Sequence, residues 1–142
     1  WARARRVGHS LVVGLVDVDW FKPYNDHYGH PAGDEVLRQV AQALAACFPR
    51  TGDLVARYGG EEFVFLIPAA NLNEGRLLAE RARAAVAALA IVHKKSPLGF
   101  LSASIGVAVG APSPQARPED LLDEADRANG GIEAQAAITG AS

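Results

Sequence analysis

The sequence holds a single cysteine, Cys47, so no internal disulfide can form, and a reduced, cytoplasmic setting is the simplest expectation. It has no run of about 18 apolar residues, the length a spanning helix needs, so no membrane contact is expected. It also lacks a basic surplus: 14 Lys and Arg stand against 16 Asp and Glu, for a net charge of −2. That balance argues against a nucleic-acid partner, which usually meets a basic face. It leaves room for one anionic ligand held by a few local cations and a metal. The opening Trp1 to Arg6 is basic, but no apolar core of roughly 7–15 residues follows it, so it is not a secretory signal. It reads as the tail end of a helix, which suggests a chain cut from a larger protein. What is present is ordinary for one globular domain: 142 residues, 49% hydrophobic and 21% charged, enough to bury a core.

Leu11 to Val18 is almost wholly aliphatic without polar alternation, the pattern of a central strand covered on both faces. Asp19 to Pro31, rich in aromatics, Asn, Asp, His and Gly, is expected to be an ordered functional connection. Asp34 to Phe48 places Val36, Leu37, Val40, Ala41, Leu44 and Phe48 on one side of a helix, with Gly33-Asp34 as its start. Leu54 to Tyr58 and Phe63 to Ile67 are short apolar runs around Gly59-Gly60-Glu61-Glu62, which predicts a β-hairpin. Asn73 to Ala90 reads as a helix, Lys94 to Gly99 as a turn and Phe100 to Val109 as a strand. A Pro-rich loop from Ala111 to Pro118 then leads into a helix through Ala128, ended by Asn129-Gly130-Gly131. Residues from about 130 to 142 are expected to form a flexible tail with little to pack. The order β-α-β-β-α-β-α predicts an α+β sandwich, helices on a largely antiparallel sheet.

Two acidic clusters carry the chemistry. Asp17 and Asp19 flank Val18 where the first strand ends, and Glu61-Glu62 occupy the hairpin turn. In a ferredoxin-like order the first strand and the hairpin are neighbours, so these carboxylates can converge on a hard cation such as Mg2+. Singly, each is more simply a solvated surface carboxylate. Gly59 and Gly60 have two readings: a turn that needs positive φ, or a place where a ligand lies against bare backbone. Asn25 and Asp34 can together read a guanine edge, accepting from the base N–H groups. Asp34 serves equally well as a helix cap. His30, beside Pro31, is a structural hydrogen-bond partner rather than a metal ligand. Trp20-Phe21 are either core aromatics or, through their N–H groups and with Lys22, a phosphate cradle.

The run Arg57-Tyr58-Gly59-Gly60-Glu61-Glu62-Phe63 resembles the signature of GGDEF diguanylate cyclases, in its Gly-Gly-Glu-Glu-Phe form. It is accompanied by Asp17-Val18-Asp19-Trp20-Phe21-Lys22-Pro23-Tyr24-Asn25-Asp26, by Gly29-His30 and Gly33-Asp34, by Ser104-Ile105-Gly106-Val107-Ala108 and by Ala125-Asp126. The resemblance covers about Arg3 to Ala128. It implies a palm-like domain that condenses two GTP into the second messenger cyclic di-GMP, releasing pyrophosphate. Two domains would pair transiently, each holding one GTP. By this likeness Asp17, the Val18 carbonyl and Glu61 hold Mg2+, with Mn2+ able to substitute. Glu61, with Glu62 beside it, helps deprotonate the 3′-hydroxyl. Asn25 and Asp34 read guanine, His30 lies near ribose and base, and Gly59-Gly60 adjoin the substrate. Lys22 and the backbone of Trp20 and Phe21 contact phosphate. Arg50-Thr51-Gly52-Asp53 matches an Arg-x-x-Asp product-inhibition site, with Arg81 as its further arginine; an Arg fork suits phosphate and the guanine Hoogsteen edge.

The sequence departs from the family near its end. The lysine expected on the triphosphate aligns with Glu133, and a later arginine with Ala137. Charge-assisted contacts are worth roughly 1.5–3 kcal/mol each, so losing two costs on the order of 100-fold in affinity. The family's segment ahead of Ala2, which couples the domain to an upstream sensory or regulatory domain, is absent. A catalytically weak domain that binds cyclic di-GMP or GTP as a receptor is therefore the alternative to an active cyclase.

Overall fold

The computed structural model describes residues 10–68, 70–110 and 123. The expected Pro-rich loop, last helix and tail, with Glu133 and Ala137, lie outside the described residues, as do Trp1 to Arg6. Strand β1, Leu11–Val18, is buried along nearly its whole length, as its unbroken aliphatic run requires. Helix α1, Phe21–Tyr28, and helix α2, His30–Cys47, follow. Strands β2, Leu54–Arg57, and β3, Glu62–Pro68, form the hairpin. Helix α3, Leu72–Ala87, and strand β4, Ala103–Gly110, complete the described order. The four strands lie in the order β2-β3-β1-β4, each pair antiparallel. Each helical crossover therefore joins two strands with a third between them, the split arrangement of ferredoxin-like folds.

Alternation along the strands divides the core. Val12, Val16 and Val18 of β1, with Phe63, Phe65 and Ile67 of β3, pack with Val36, Leu37, Val40 and Leu44 of α2 and with Ala79, Ala82 and Val86 of α3. Leu11, Val13 and Leu15 form a second cluster with Val64, Leu66 and Ala108. Full burial of each such Val, Leu or Phe contributes about 1.5–3 kcal/mol over exposure. Two glycines allow close approaches between the strands and helices of the core. A Cβ on Gly14 would fall 1.9–2.4 Å from the Phe65 ring, and one on Gly75 of α3 would fall 2.7 Å from Val12.

The connection expected between Asp19 and Pro31 is instead a pair of helices. Pro23 stands in the first turn of α1 and Pro31 at the start of α2, where a missing N–H costs no helical bond. Gly29, at φ 95, ends one helix and begins the next. Helix α2 thus starts at His30, not at Gly33-Asp34, and Asp34 is inside it rather than a cap. Helix α3 begins at Leu72 behind a capping box between Asn71 and Glu74, and ends at Ala87, short of the expected Ala90. Strand β4 starts at Ala103 rather than Phe100, which forms an isolated bridge with Val92.

Candidate nucleotide and metal site

The register of β1 and β3 brings the two acidic segments together. The Val18 N–H donates to the Glu61 carbonyl at 3.1 Å, and Asp17 lies directly opposite Glu62. Asp17, Glu61 and Glu62 are all half-buried. Like charges directly opposite on paired strands repel, and a cation between them relieves that repulsion. No group of three or more His, Cys, Asp or Glu among the described residues forms a metal cage by itself. Two carboxylates and the Val18 carbonyl, all hard oxygens, suit a Mg2+ that keeps positions for phosphate and water.

The turn is held by its own strand. Tyr58 and Gly59 N–H both donate to the Glu62 carbonyl, at 2.8 and 3.3 Å. Arg57 donates back to the Gly59 and Gly60 carbonyls, at 3.3 Å from Nε and 2.6 Å from Nη2. Neither Gly59 nor Gly60 has positive φ, so the left-handed-turn explanation of these glycines is set aside. A Cβ on Gly60 would meet nothing within 4 Å, while one on Gly59 would come 2.6 Å from the Glu62 carboxylate. Gly59 thus leaves room for the Glu62 carboxylate, and Gly60 leaves open space beside the turn.

Asp19 does not join Asp17. It is 1% exposed, accepts from the Ser102 hydroxyl at 2.7 Å and the Ser104 hydroxyl at 2.6 Å, and its N–H donates to the Ser102 carbonyl. Next to it Trp20 takes left-handed dihedrals, φ 57 and ψ 35, which for a non-glycine costs about 1–3 kcal/mol. A left-handed residue leading into the right-handed Phe21 turns successive N–H groups into an anion-binding nest. The first N–H groups of α1 have no partner within the helix. Phe21 itself is buried, so it serves the core as well. Lys22 is 85% exposed in its side chain and pairs with Asp26 at 3.0 Å, a surface contact worth at most about 1 kcal/mol that a phosphate can displace.

The Asn25 Oδ1 is buried without a hydrogen-bond partner, and it occupies the place a Cβ on Gly33 would need, 1.7 Å away. Gly33 is thus what lets the Asn25 amide fit between the two helices. Asp34 is exposed and lines a cleft of about 510 Å³ between α2 and β2, floored by Leu37, Val55 and Phe63. His30 shares the face of Asp34 at i, i+4. Arg38 lines the cleft too, but bonds from Arg38 and Gln39 to Glu35 hold that carboxyl down to about 2.

A second cleft, of about 300 Å³, contains Arg50, Asp53 and Arg81 together with Cys47, Leu77 and Leu78. Gly52, at φ 96, and a bond from the Asp53 N–H to the Arg50 carbonyl shape the turn. The Arg50 Nε lies 3.6 Å from an Asp53 side chain only 4% exposed. Burial pushes the Cys47 thiol up, partly offset by the Arg81 charge.

Residues 1–136 match the profile described as diguanylate cyclase, GGDEF domain. The chain belongs to the GGDEF family. Over 106 residues it is 46% identical to the diguanylate cyclase DgcP of Pseudomonas aeruginosa, covering 75% of this chain and 16% of that protein. The GGDEF domain of DgcB from Caulobacter crescentus, solved in complex with c-di-GMP, superposes with a TM-score of 0.80 at 27% identity, covering 99% of this chain and 80% of that one. The active GGEEF domain of a diguanylate cyclase from Vibrio cholerae gives 0.75 at 26% identity, covering 99% and 85%. The chain spans between 16% and 27% of the length of the curated relatives it matches. No helix among its described residues is long and apolar enough to cross a membrane.

Sequence reasoning missed three parts of this GGDEF site. The Arg57 clasp is local, and an Arg two residues before a Gly-Gly turn could have signalled it. The Ser102 and Ser104 donors to Asp19 depend on strand register and leave no short-range signal. His93, whose Nε2 lies 2.9 Å from the Trp20 carbonyl, is 73 residues away and stands between the expected helix and turn, where the sequence gives it no role.

Proposed function

We propose that this domain condenses two GTP molecules into cyclic di-GMP, each 3′-hydroxyl attacking the α-phosphate of the other nucleotide and expelling pyrophosphate. The observation that carries this is the meeting of the β1 end with the signature turn, Val18 N–H on the Glu61 carbonyl at 3.1 Å. Asp17, the Val18 carbonyl and Glu61 would hold Mg2+ or Mn2+. When bound, the ion supplies charge neutralisation on the triphosphate and the leaving pyrophosphate. Asn25 and Asp34 orient the guanine, with His30 near the ribose. The Trp20, Phe21 and Lys22 segment receives the phosphates, and Gly59-Gly60 let the nucleotide lie against the turn. Glu61, with Glu62 beside it, takes the proton from the 3′-hydroxyl. Two domains meet transiently, because each supplies one nucleotide, and an upstream domain governs the meeting. Cyclic di-GMP in the cleft of Arg50, Asp53 and Arg81 restrains the reaction.

The test is pyrophosphate release from GTP and Mg2+. Wild type is expected to release it, and Glu61→Gln to lose at least about 100-fold, the scale of removing a positioned proton acceptor. Equal rates in the two proteins would end the catalytic reading. Glu133 and Ala137, in place of expected cations, favour a second reading, a receptor that binds cyclic di-GMP or GTP without efficient turnover. No release with retained binding of cyclic di-GMP would select it.

A further inference from the structure

His93 is the one fully buried histidine among the described residues, 0% exposed, on the loop between α3 and β4. Three features fix its place. Its N–H donates to the Gly99 carbonyl at 3.1 Å, and its carbonyl accepts from Ser96 at 3.2 Å, within a loop clamped by the Val92–Phe100 bridge. Its ring stands edge-on to Tyr24 of α1, centroids 5.0 Å apart. Beside it the Lys94 N–H donates to the Tyr28 hydroxyl at 3.0 Å. The loop is therefore tied to both turns of α1, and its imidazole reaches the residue that leads into that helix.

The contact there is to the carbonyl of Trp20, 2.9 Å from Nε2. A carbonyl only accepts, so Nε2 carries a proton, while Nδ1 is buried without a hydrogen-bond partner. The same carbonyl accepts the Tyr24 N–H at 3.0 Å. Trp20 is the left-handed residue whose peptide sets the direction of the nest N–H groups. A buried ring nitrogen with no partner is unfavourable, and a phenyl ring would fill the same space against Tyr24 without it. Placement of a polar ring there is thus not explained by packing; it is explained by what the ring holds.

We propose that His93 is a positioning residue for the triphosphate: its Nε2–H pins the Trp20 carbonyl and so keeps the strained Trp20-Phe21-Lys22 nest aimed at phosphate. This rests on the proposed phosphate role of that segment. His93 touches no substrate atom and acts through Trp20.

The discriminating variants are His93→Phe, which keeps an aromatic ring against Tyr24 and removes the donor, and His93→Gln, which keeps an N–H able to reach the carbonyl. KM and kcat for GTP are read from pyrophosphate release, guanosine is titrated as a competitive inhibitor without phosphates, and thermal midpoints are measured. For His93→Phe the KM for GTP is expected to rise about tenfold, equivalent to about 1.4 kcal/mol. Its guanosine inhibition constant stays at the wild-type value and its thermal midpoint is no lower. His93→Gln recovers much of the KM. An unchanged GTP KM in His93→Phe overturns the proposal. So does a parallel loss of GTP and guanosine recognition with a lowered midpoint, which marks a merely structural residue. If wild type binds GTP without releasing pyrophosphate, the same comparison is made on calorimetric dissociation constants for GTP and guanosine. If wild type neither binds nor turns over GTP, the proposed function fails and the positioning role falls with it.

Discussion

Asp17 and Asp19 stand two residues apart and serve different ends. Asp17, half-buried opposite Glu62, is the carboxylate the proposed function assigns to the cation. Asp19, buried beyond the strand end, spends its oxygens on two serine hydroxyls and ties β1 to the loop before β4. Removing one of those donors leaves a buried carboxylate short of a partner. Ser102→Ala is therefore expected to lower stability by about 1–3 kcal/mol, seen as an earlier urea midpoint with an unchanged slope. The acid at Asp17 was legible because a charged residue ending an aliphatic strand is conspicuous. The diversion of Asp19 was not, since it depends on partners 83 and 85 residues away. Asn25 was singled out in the sequence as a candidate base reader, while its packing against Gly33 required knowing that two helices meet there.

At the scale of elements, β1, the hairpin and the apolar stripe of α2 were plain in the sequence, because burial dictates their periodicity. Helix α1 was hidden, since its eight residues include Pro23, Asn25, Asp26 and His27, and weak local preference is overridden by Phe21 and Tyr24 entering the core. The start of α2 was misplaced for a related reason: Pro31 looks like a break but is well suited to a first turn. The joint between β1 and β3 is tight. Phe65 lies across Gly14 and stacks on Phe48 with centroids 4.6 Å apart, so the ring has no free side to retreat to. Gly14→Ala is expected to cost about 1–3 kcal/mol through overpacking, measurable as a lowered thermal midpoint. The fold order survived these local misreadings because the strands follow from the hydrophobic runs, and their directions from the order of strands and helices.

At the scale of the molecule, α2 links two clefts. Asp34 near its start borders the larger one, and Cys47 at its end borders the one with Arg50, Asp53 and Arg81. Thirteen residues of helix separate them, about 20 Å of rise. The Arg-x-x-Asp grouping was legible in the sequence only through family likeness, because its spacing alone describes any surface ion pair. Its geometry supports a ligand-sized recess with two guanidinium groups. Arg50→Ala is expected to weaken cyclic di-GMP binding at least about tenfold by calorimetry, the loss of one charge-assisted contact, and to let pyrophosphate release continue to higher product concentration. Unaltered binding would remove the cleft from the proposed regulation.

The clasp of Arg57 over the Gly59 and Gly60 carbonyls has a thermodynamic consequence. Two adjacent glycines are the most entropically costly residues to immobilise, and in many loops that ordering is left to the arriving ligand. Here the guanidinium and the two bonds onto the Glu62 carbonyl impose the shape during folding. A nucleotide bound as proposed would meet a preorganised turn, and its association would forfeit little chain freedom.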